Sequence, residues 1–270
     1  MAELRIGVTG AAGRMGGAVI RQVAATEGCR VVAACEAPGS AAIGRDAGEA
    51  AGIGAIGVAI GADAGAVFAA ADAVIEFTAP AASVAHAKLA AERKVAHVIG
   101  TTGLDAASLA ALATAAKDTV IVHAPNMSLA VNILFALTRQ VAALLDPEFD
   151  IEIVEMHHRH KVDAPSGTAL ELGRRAAAGR GVAFESVARR TRDGIVGARK
   201  RGEIGFAALR GGDVVGDHTV VFAADGERLE LGHKAAGRQI FARGAVRAAL
   251  WAPGKKPGLY SMADVLGLTP

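Results

Sequence analysis

LRIGVTGAAGRMG, residues 4–16, is the stretch on which the reading of the fold turns. Leu4–Val8 is a short apolar run of the kind that forms a buried strand. Arg14–Thr26 carries Val19, Ile20 and Val23 at helical core spacing. Between them Gly10, Gly13 and Gly16 form a GxxGxxG turn. A nucleotide diphosphate needs backbone N–H groups at a helix N-terminus, and small residues so that the backbone can come close. The stricter GxGxxG pattern has glycine where Ala12 stands. Twenty residues past Gly16, Glu36 closes a second strand-like run, Arg30–Cys35, where a carboxylate can accept from the adenosine ribose hydroxyls. The plain alternative is a glycine-rich turn beside a surface glutamate. Strand, loop, helix and acid in this order favour a dinucleotide site. Glu36 repels a 2′-phosphate, and Ala37 supplies no guanidinium to offset that. Arg14 and Arg45 could still reach a phosphate, so NADH is expected as the preferred cofactor, with NADPH usable.

Outward from this segment the alternation continues. Ala73–Phe77, Val95–Ile99 and Val120–His123 read as strands, with a weaker one at Gly57–Ile60, and helices are expected at about 81–92 and 105–116. Strands alternating with helices call for a parallel sheet covered on both faces. The pattern changes after Pro125. A helix is expected at Leu129–Leu145, a strand at Asp150–Met156 and a helix from near Ser166. Glu203–Leu209, Val214–Phe222 and Arg228–Leu231 read as strands, and the Gly- and Asp-rich turns between them suggest antiparallel hairpins. Arg238–Trp251 is helical again. The chain is therefore expected to be α/β, with a second α+β domain beginning near residue 127.

Composition narrows the classes. With 270 residues, 52% hydrophobic and 21% charged, the chain is long enough for two folded domains. Lys and Arg (29) nearly balance Asp and Glu (27), and aromatic residues are only 4%. Neither a basic field nor stacking platforms for nucleic acid are expected. No uncharged run reaches the ~18–20 apolar residues of a membrane span, and the opening MAELRIGVTG lacks the pattern of a signal peptide. Cys29 and Cys35 flank RVVAA. An extended run of that length separates them by about 20 Å, beyond the ~7 Å limit for bridged Cα atoms. Two core thiols in a reducing cytoplasm are expected.

The second informative stretch is EMHHRHKVDAPSGT, residues 155–168. Three His, an Arg, a Lys and an Asp fall within His157–Asp163, a density that a buried strand does not tolerate, so a strand end or loop is expected. The cations suit a substrate with more than one carboxylate. Ser166-Gly167-Thr168 opens a helix whose N–H groups could hold one of them, and a histidine titrating near neutrality suits a proton donor. Other readings stand beside this one: a solvated basic loop with a helix cap, a metal site using His157, His158 and His160, and a phosphate loop. No HExxH or GxxxxGK[ST] spacing supports the last two, and no metal is expected.

Together, GAAGRMG (10–16), FTAP (77–80), GTTG (100–103), APNMS (124–128), EMHHRHKVDAPSGTAL (155–170) and GAVRAALW (244–251) resemble the dihydrodipicolinate reductase family, in order along nearly the whole chain. The resemblance implies a Rossmann-type parallel sheet domain at 1–127, with 239–270 packing back onto it. It implies a substrate-binding and oligomerisation domain of mixed, largely antiparallel sheet at 128–238, and a homotetramer. The implied reaction is a step of lysine and diaminopimelate synthesis. A cyclic imine dicarboxylate, 4-hydroxy-tetrahydrodipicolinate, loses water and accepts hydride from NAD(P)H. Carried onto this chain, His157 is the proton donor and Lys161 a second donor or charge partner. His158, Gly167, Thr168 and Arg238 hold substrate. Gly10, Ala11, Ala12, Gly13, Arg14 and Met15 take the diphosphate and Glu36 the ribose. Gly100, Thr101 and Thr102 with Ala124, Pro125, Asn126 and Met127 line the nicotinamide side. Arg159 and His160 match the pattern as loop-shaping residues. Two departures stand out, Ala12 for a common glycine and Ala37 for a common basic residue. The competing readings are another amino-acid or semialdehyde dehydrogenase, which the His/Lys stretch disfavours, and a non-catalytic dinucleotide sensor, which has no need of His157 and Lys161.

Overall fold

The computed structural model describes residues 3–268. The chain divides into two compact units: residues up to Leu129 together with those from Arg238 onward, and Ala130–Gly237. The first unit begins with β1 (Leu4–Thr9), α1 (Arg14–Ala24), β2 (Cys29–Cys35), α2 (Ala47–Ala51), β3 (Ile60–Gly61) and α3 (Ala64–Ala70). It continues with β4 (Ala73–Glu76), α4 (Pro80–Arg93), β5 (Ala96–Ile99), α5 (Ala106–Ala115) and β6 (Val120–His123). The second is built from α6 (Leu129–Leu144), β7 (Asp150–His157), α7 (Gly167–Gly179), α8 (Phe184–Val187), β8 (Ala188–Arg189), β9 (Ile204–Arg210), β10 (Gly216–Ala224) and β11 (Glu227–Ala235). The chain then completes the first unit with α9 (Gln239–Trp251), β12 (Gly258–Tyr260) and α10 (Met262–Leu266).

The first sheet has the order β12-β6-β5-β4-β1-β2-β3, and every ladder in it is parallel. Parallel strands covered on both faces read as continuous apolar runs, and Ile6, Val74, Ile75, Val98 and Ile121 are fully buried. The strand order reverses between β1 and β4. In open sheets of this kind the loops leaving the carboxyl ends on either side of that reversal form the ligand crevice. Both loops, residues 10–13 and 77–79, carry motifs singled out in the sequence.

Six short elements escaped the sequence reading: α2, α3, α8, β8, β12 and α10. Helices α2 and α3 are too rich in Ala and Gly to show an apolar stripe. They are announced instead by N-caps: Asp46 accepts from the N–H groups of Gly48 and Glu49, and Asp63 from Gly65. The third strand is the pair Ile60–Gly61 rather than Gly57–Ile60. β12, three residues long, adds the edge strand beside β6. Cys29 and Cys35 are free and buried, as expected, and burial pushes the Cys35 thiol up to about 12.

The second sheet has the order β11-β10-β7-β9-β8. β10 pairs antiparallel with β11 and with β7, while β9 pairs parallel with β7 and with β8. The hairpin expected between 203–209 and 214–222 does not form; only the 224–227 turn closes one. β7 lies between the two, its Ile151 and Ile153 buried under α6 and α7. The backbone of the intervening loop pairs with the chain leaving β7: Val214 O accepts from His158 N (2.7 Å), and Gly211 N donates to His157 O (2.9 Å). Mixed pairing thus leads the 211–214 loop to the residues that follow β7.

In the first unit α9 packs so closely that a Cβ on Gly244 would overlap the Met127 carbonyl. Gly244→Ala is expected to lower stability by about 1–3 kcal/mol, measured as the midpoint of urea unfolding. An unchanged midpoint would contradict this close approach.

Candidate active site

In the first unit the glycine loop follows from local sterics. Gly10 has φ +66, a conformation that disfavours side chains, and a Cβ on Gly16 would overlap the Gly10 carbonyl. Ala12 is not among the positive-φ residues, so its departure from glycine costs no backbone strain. The Ala11 N–H donates to Cys35 O (3.0 Å), Gly13 N–H to Gly10 O (3.0 Å) and Ala12 N–H to the Glu36 carboxylate (3.0 Å). The other Glu36 oxygen accepts from Ala37 N–H (2.9 Å). Within the expected 10–15 set, the groups left for a diphosphate include the first-turn N–H groups of Arg14 and Met15. Gly13 is the N-cap and offers no side chain to compete for them. That arrangement fits a dinucleotide's diphosphate, with the Glu36 carboxylate hydrogen-bonded to the same loop. Arg14 and Arg238 line one cleft beside Ala12 and Gly13. The geometry thus groups Arg238 with the glycine loop, where the sequence reading put it on substrate.

At the end of β4 lies a residue that the sequence reading passed over inside AVIEF. The Glu76 side chain is fully buried. Its carboxylate accepts from His86 Nδ1 (2.8 Å), His97 Nε2 (2.8 Å), Thr78 Oγ1 (2.7 Å), Thr101 Oγ1 (3.3 Å) and Ser83 Oγ. Burial works to raise its pKa, but the two imidazoles hold it below the usual carboxylate range. Thr101 Oγ1 also accepts from Thr78 N–H (2.9 Å). One anion therefore ties FTAP to GTTG. Beside them Gly100 leaves room for the Phe77 ring, which a Cβ would overlap. Thr101 is buried and Thr102 exposed. Ala124 and Met127 are buried, Pro125 is exposed, and Asn126 accepts from Ser128 N–H (2.9 Å).

In the second unit the alternation of β7 puts Ile151, Ile153, Glu155 and His157 on one face. His157 Nδ1 lies 2.6 Å from Glu155 Oε2. Glu155 also accepts from both terminal nitrogens of Arg210 (2.8 and 2.9 Å) and from Ser166 N–H (3.0 Å). Burial works to raise the Glu155 pKa, but Arg210 and His157 hold it below the ordinary range. Burial pushes His157 down, and Glu155 partly opposes that. Lys161 Nζ pairs with Asp163 (2.8 Å). Ser166 caps α7 by accepting from Ala169 N–H (3.2 Å), so Gly167 and Thr168 form the first turn. Arg159 and His160 are exposed, and His158 is half-buried. Among the described residues no group of three or more His, Cys, Asp or Glu is arranged to hold a metal. Glu155, Arg210 and His218 had no part in the sequence reading of the site. His218 packs edge-on to His157 with ring centroids 5.1 Å apart, and its Nε2 lies 3.0 Å from Ser166 Oγ.

Compared with known proteins, residues 4–127 match a family model described as dihydrodipicolinate reductase, N-terminus, and residues 130–266 one described as dihydrodipicolinate reductase, C-terminus. The 4-hydroxy-tetrahydrodipicolinate reductase of Ruegeria pomeroyi is 59% identical over 261 residues, 97% of each chain. That of Rhodopseudomonas palustris strain BisB5 is 56% identical over 268 residues, 99% of each. Among solved structures, a dipicolinate-bound dihydrodipicolinate reductase from Paenisporosarcina sp. TG-14 has the same fold, with a TM-score of 0.78 at 22% identity, covering 97% of this chain and 98% of that one.

Burial pushes His218 from 6.5 down to about 4. Between those values the unfolded chain binds a proton that the folded chain does not, so stability falls as pH drops through that window. The loss is expected to reach about 3 kcal/mol near pH 4. Urea titrations of the native protein and of His218→Gln should show a shallower acid slope for the variant; parallel slopes would remove His218 from this account.

Proposed function

The chain belongs to the dihydrodipicolinate reductase family, and on that premise we propose that it converts 4-hydroxy-tetrahydrodipicolinate to tetrahydrodipicolinate with NAD(P)H, the hydroxyl leaving as water and His157 giving the proton with help from Lys161. The observation that carries this reading is the match of both family models along the chain, on a sequence whose second unit holds a buried, carboxylate-paired histidine beside a helix N-terminus. The first unit takes the cofactor: the first turn of α1 holds the diphosphate and Glu36 the ribose. Bound NAD(P)H supplies the hydride.

The protein's own groups orient the substrate and move the proton. The opening turn of α7 at Gly167 and Thr168, together with His158, receives the two carboxylates. The Lys161 ammonium stabilises negative charge at the reacting centre and is itself held by Asp163. His157, already a stronger acid than a solvated imidazole because of its burial, delivers the proton that completes the reduction. The pathway is lysine and diaminopimelate synthesis, and the compartment the cytoplasm. No helix among the described residues is long and apolar enough to cross a membrane.

NADH is the preferred cofactor, because the Glu36 carboxylate stands at the loop and Ala37 brings no cation to a 2′-phosphate. The assembly is a homotetramer built through the second sheet. Its face turned from α6 and α7 carries Val154, Met156 and Val221 with Leu209, which is 50% exposed. Such a face favours association.

Purified protein, NADH and freshly prepared substrate should give a fall in nicotinamide absorbance; cofactor binding without turnover would favour a sensor. His157→Gln is expected to lower kcat by about 10²–10⁴-fold and to leave NADH affinity unchanged. Equal losses in both would reassign the residue. The ratio of kcat/KM for NADH over NADPH should exceed one and fall in Glu36→Ala; a native preference for NADPH would overturn the cofactor reading.

A further inference from the structure

We propose that Glu155 and Arg210 are a positioning pair for this reduction, Glu155 setting the orientation and proton of His157 and Arg210 fixing the Lys161 turn to the same carboxylate. The inference rests on the reading of His157 as proton donor. Sequence spacing begins it: Glu155 and His157 are two residues apart on a strand and share its buried face. Parallel pairing continues it, because the register sets Arg210 of β9 beside His157 of β7. The Glu155 side chain is 1% exposed, and its acceptor positions are filled by His157 Nδ1, both terminal nitrogens of Arg210 and Ser166 N–H. An ionised carboxylate only accepts, so His157 Nδ1 carries a hydrogen whether the ring is neutral or cationic. Nε2 is then the atom that gives or lacks the transferable proton. It borders Gly216, where a Cβ would stand 3.0 Å from Nε2; glycine there leaves this nitrogen uncovered on that side.

Arg210 does more than neutralise Glu155. Its Nη2 also donates to the Asp163 carbonyl (2.6 Å), and Asp163 holds Lys161 Nζ (2.8 Å). The two proton-handling candidates, separate in role, are thus fixed through one guanidinium. The charged and titratable groups facing His157 are Glu155 on its own strand, Arg210 on β9, Lys161 on the following turn and His218 on β10. Burial lowers the His157 pKa, Glu155 raises it, and Lys161 and Arg210 lower it. Burial keeps His218 neutral near neutral pH.

These opposed influences make the test specific. The limb of the kcat/KM profile that falls as pH rises should move lower by about one unit in Glu155→Gln and move higher in Arg210→Gln. Both variants should lose about ten- to a hundredfold in kcat/KM at the native optimum with an unchanged NADH dissociation constant. 15N spectra of the His157 ring should show Nδ1 protonated in the native protein and a mixture of tautomers in Glu155→Gln. A merely structural pair would lower activity without moving the limb in opposite directions, and that result would overturn the proposal. If Glu155→Gln does not fold, the double variant Glu155→Gln/Arg210→Gln leaves no unpaired buried charge. Its limb should still lie lower, because the hydrogen-bonded carboxylate outweighs the guanidinium, and an unmoved limb there would count equally against the pair. His157→Gln separates the two readings. If that variant keeps both rate and limb, the proton-donor assignment fails; if it loses them while the other variants leave the limb in place, only the positioning pair fails.

Discussion

Withdrawing a carboxylate from water costs several kcal/mol unless donors replace the lost solvent, and each unit of this chain is organised around one such group at the end of a strand. Glu76 closes β4 and gathers two imidazoles and three hydroxyls. Glu155 lies near the end of β7 and gathers an imidazole, a guanidinium and the N–H of a helix cap. In both places the donors come from several separate segments of the chain. The requirement that a buried anion be met on every side becomes a requirement that those segments hold one arrangement.

The sheets determine where these anchors fall. In the first unit, reversal of strand order at β1 and β4 brings the 10–13 and 77–79 loops to the same edge. Small residues let them approach: a Cβ on Gly10 would stand 3.3 Å from the Phe77 carbonyl. In the second unit, parallel pairing of β9 with β7 delivers Arg210 to His157, and antiparallel pairing of β10 delivers His218 beside Glu155. A sheet of hairpins alone would have placed β10 next to β9 and left β7 without Arg210.

Much of this was legible in the sequence because it depends on local pattern. The strand–glycine–helix opening, the Ala-rich helices and the density of His and Lys after residue 156 each have a near-neighbour cause. What was not legible depends on distant partners. Glu76 sits in an apolar pentapeptide, and its histidines lie 10 and 21 residues away. Glu155 was quoted with its segment, but its partner Arg210 is 55 residues on. The failed hairpin at 203–222 has the same origin, since turn composition speaks only for adjacent strands. The cleft that Arg238 shares with Ala12 and Gly13 was hidden for a related reason: a motif match carries no information about which loop a side chain lies beside.

The path of the chain through its two units bears on how the protein is made. β12, which covers the edge of β6 in the first sheet, is translated only after every residue of the second unit. While the ribosome is still adding those residues, β6 presents an open row of amides and carbonyls, the kind of template on which nascent chains stick to one another. Molecular chaperones that shield strand edges would therefore matter most during that interval, and a messenger that pauses before codon 258 would prolong it.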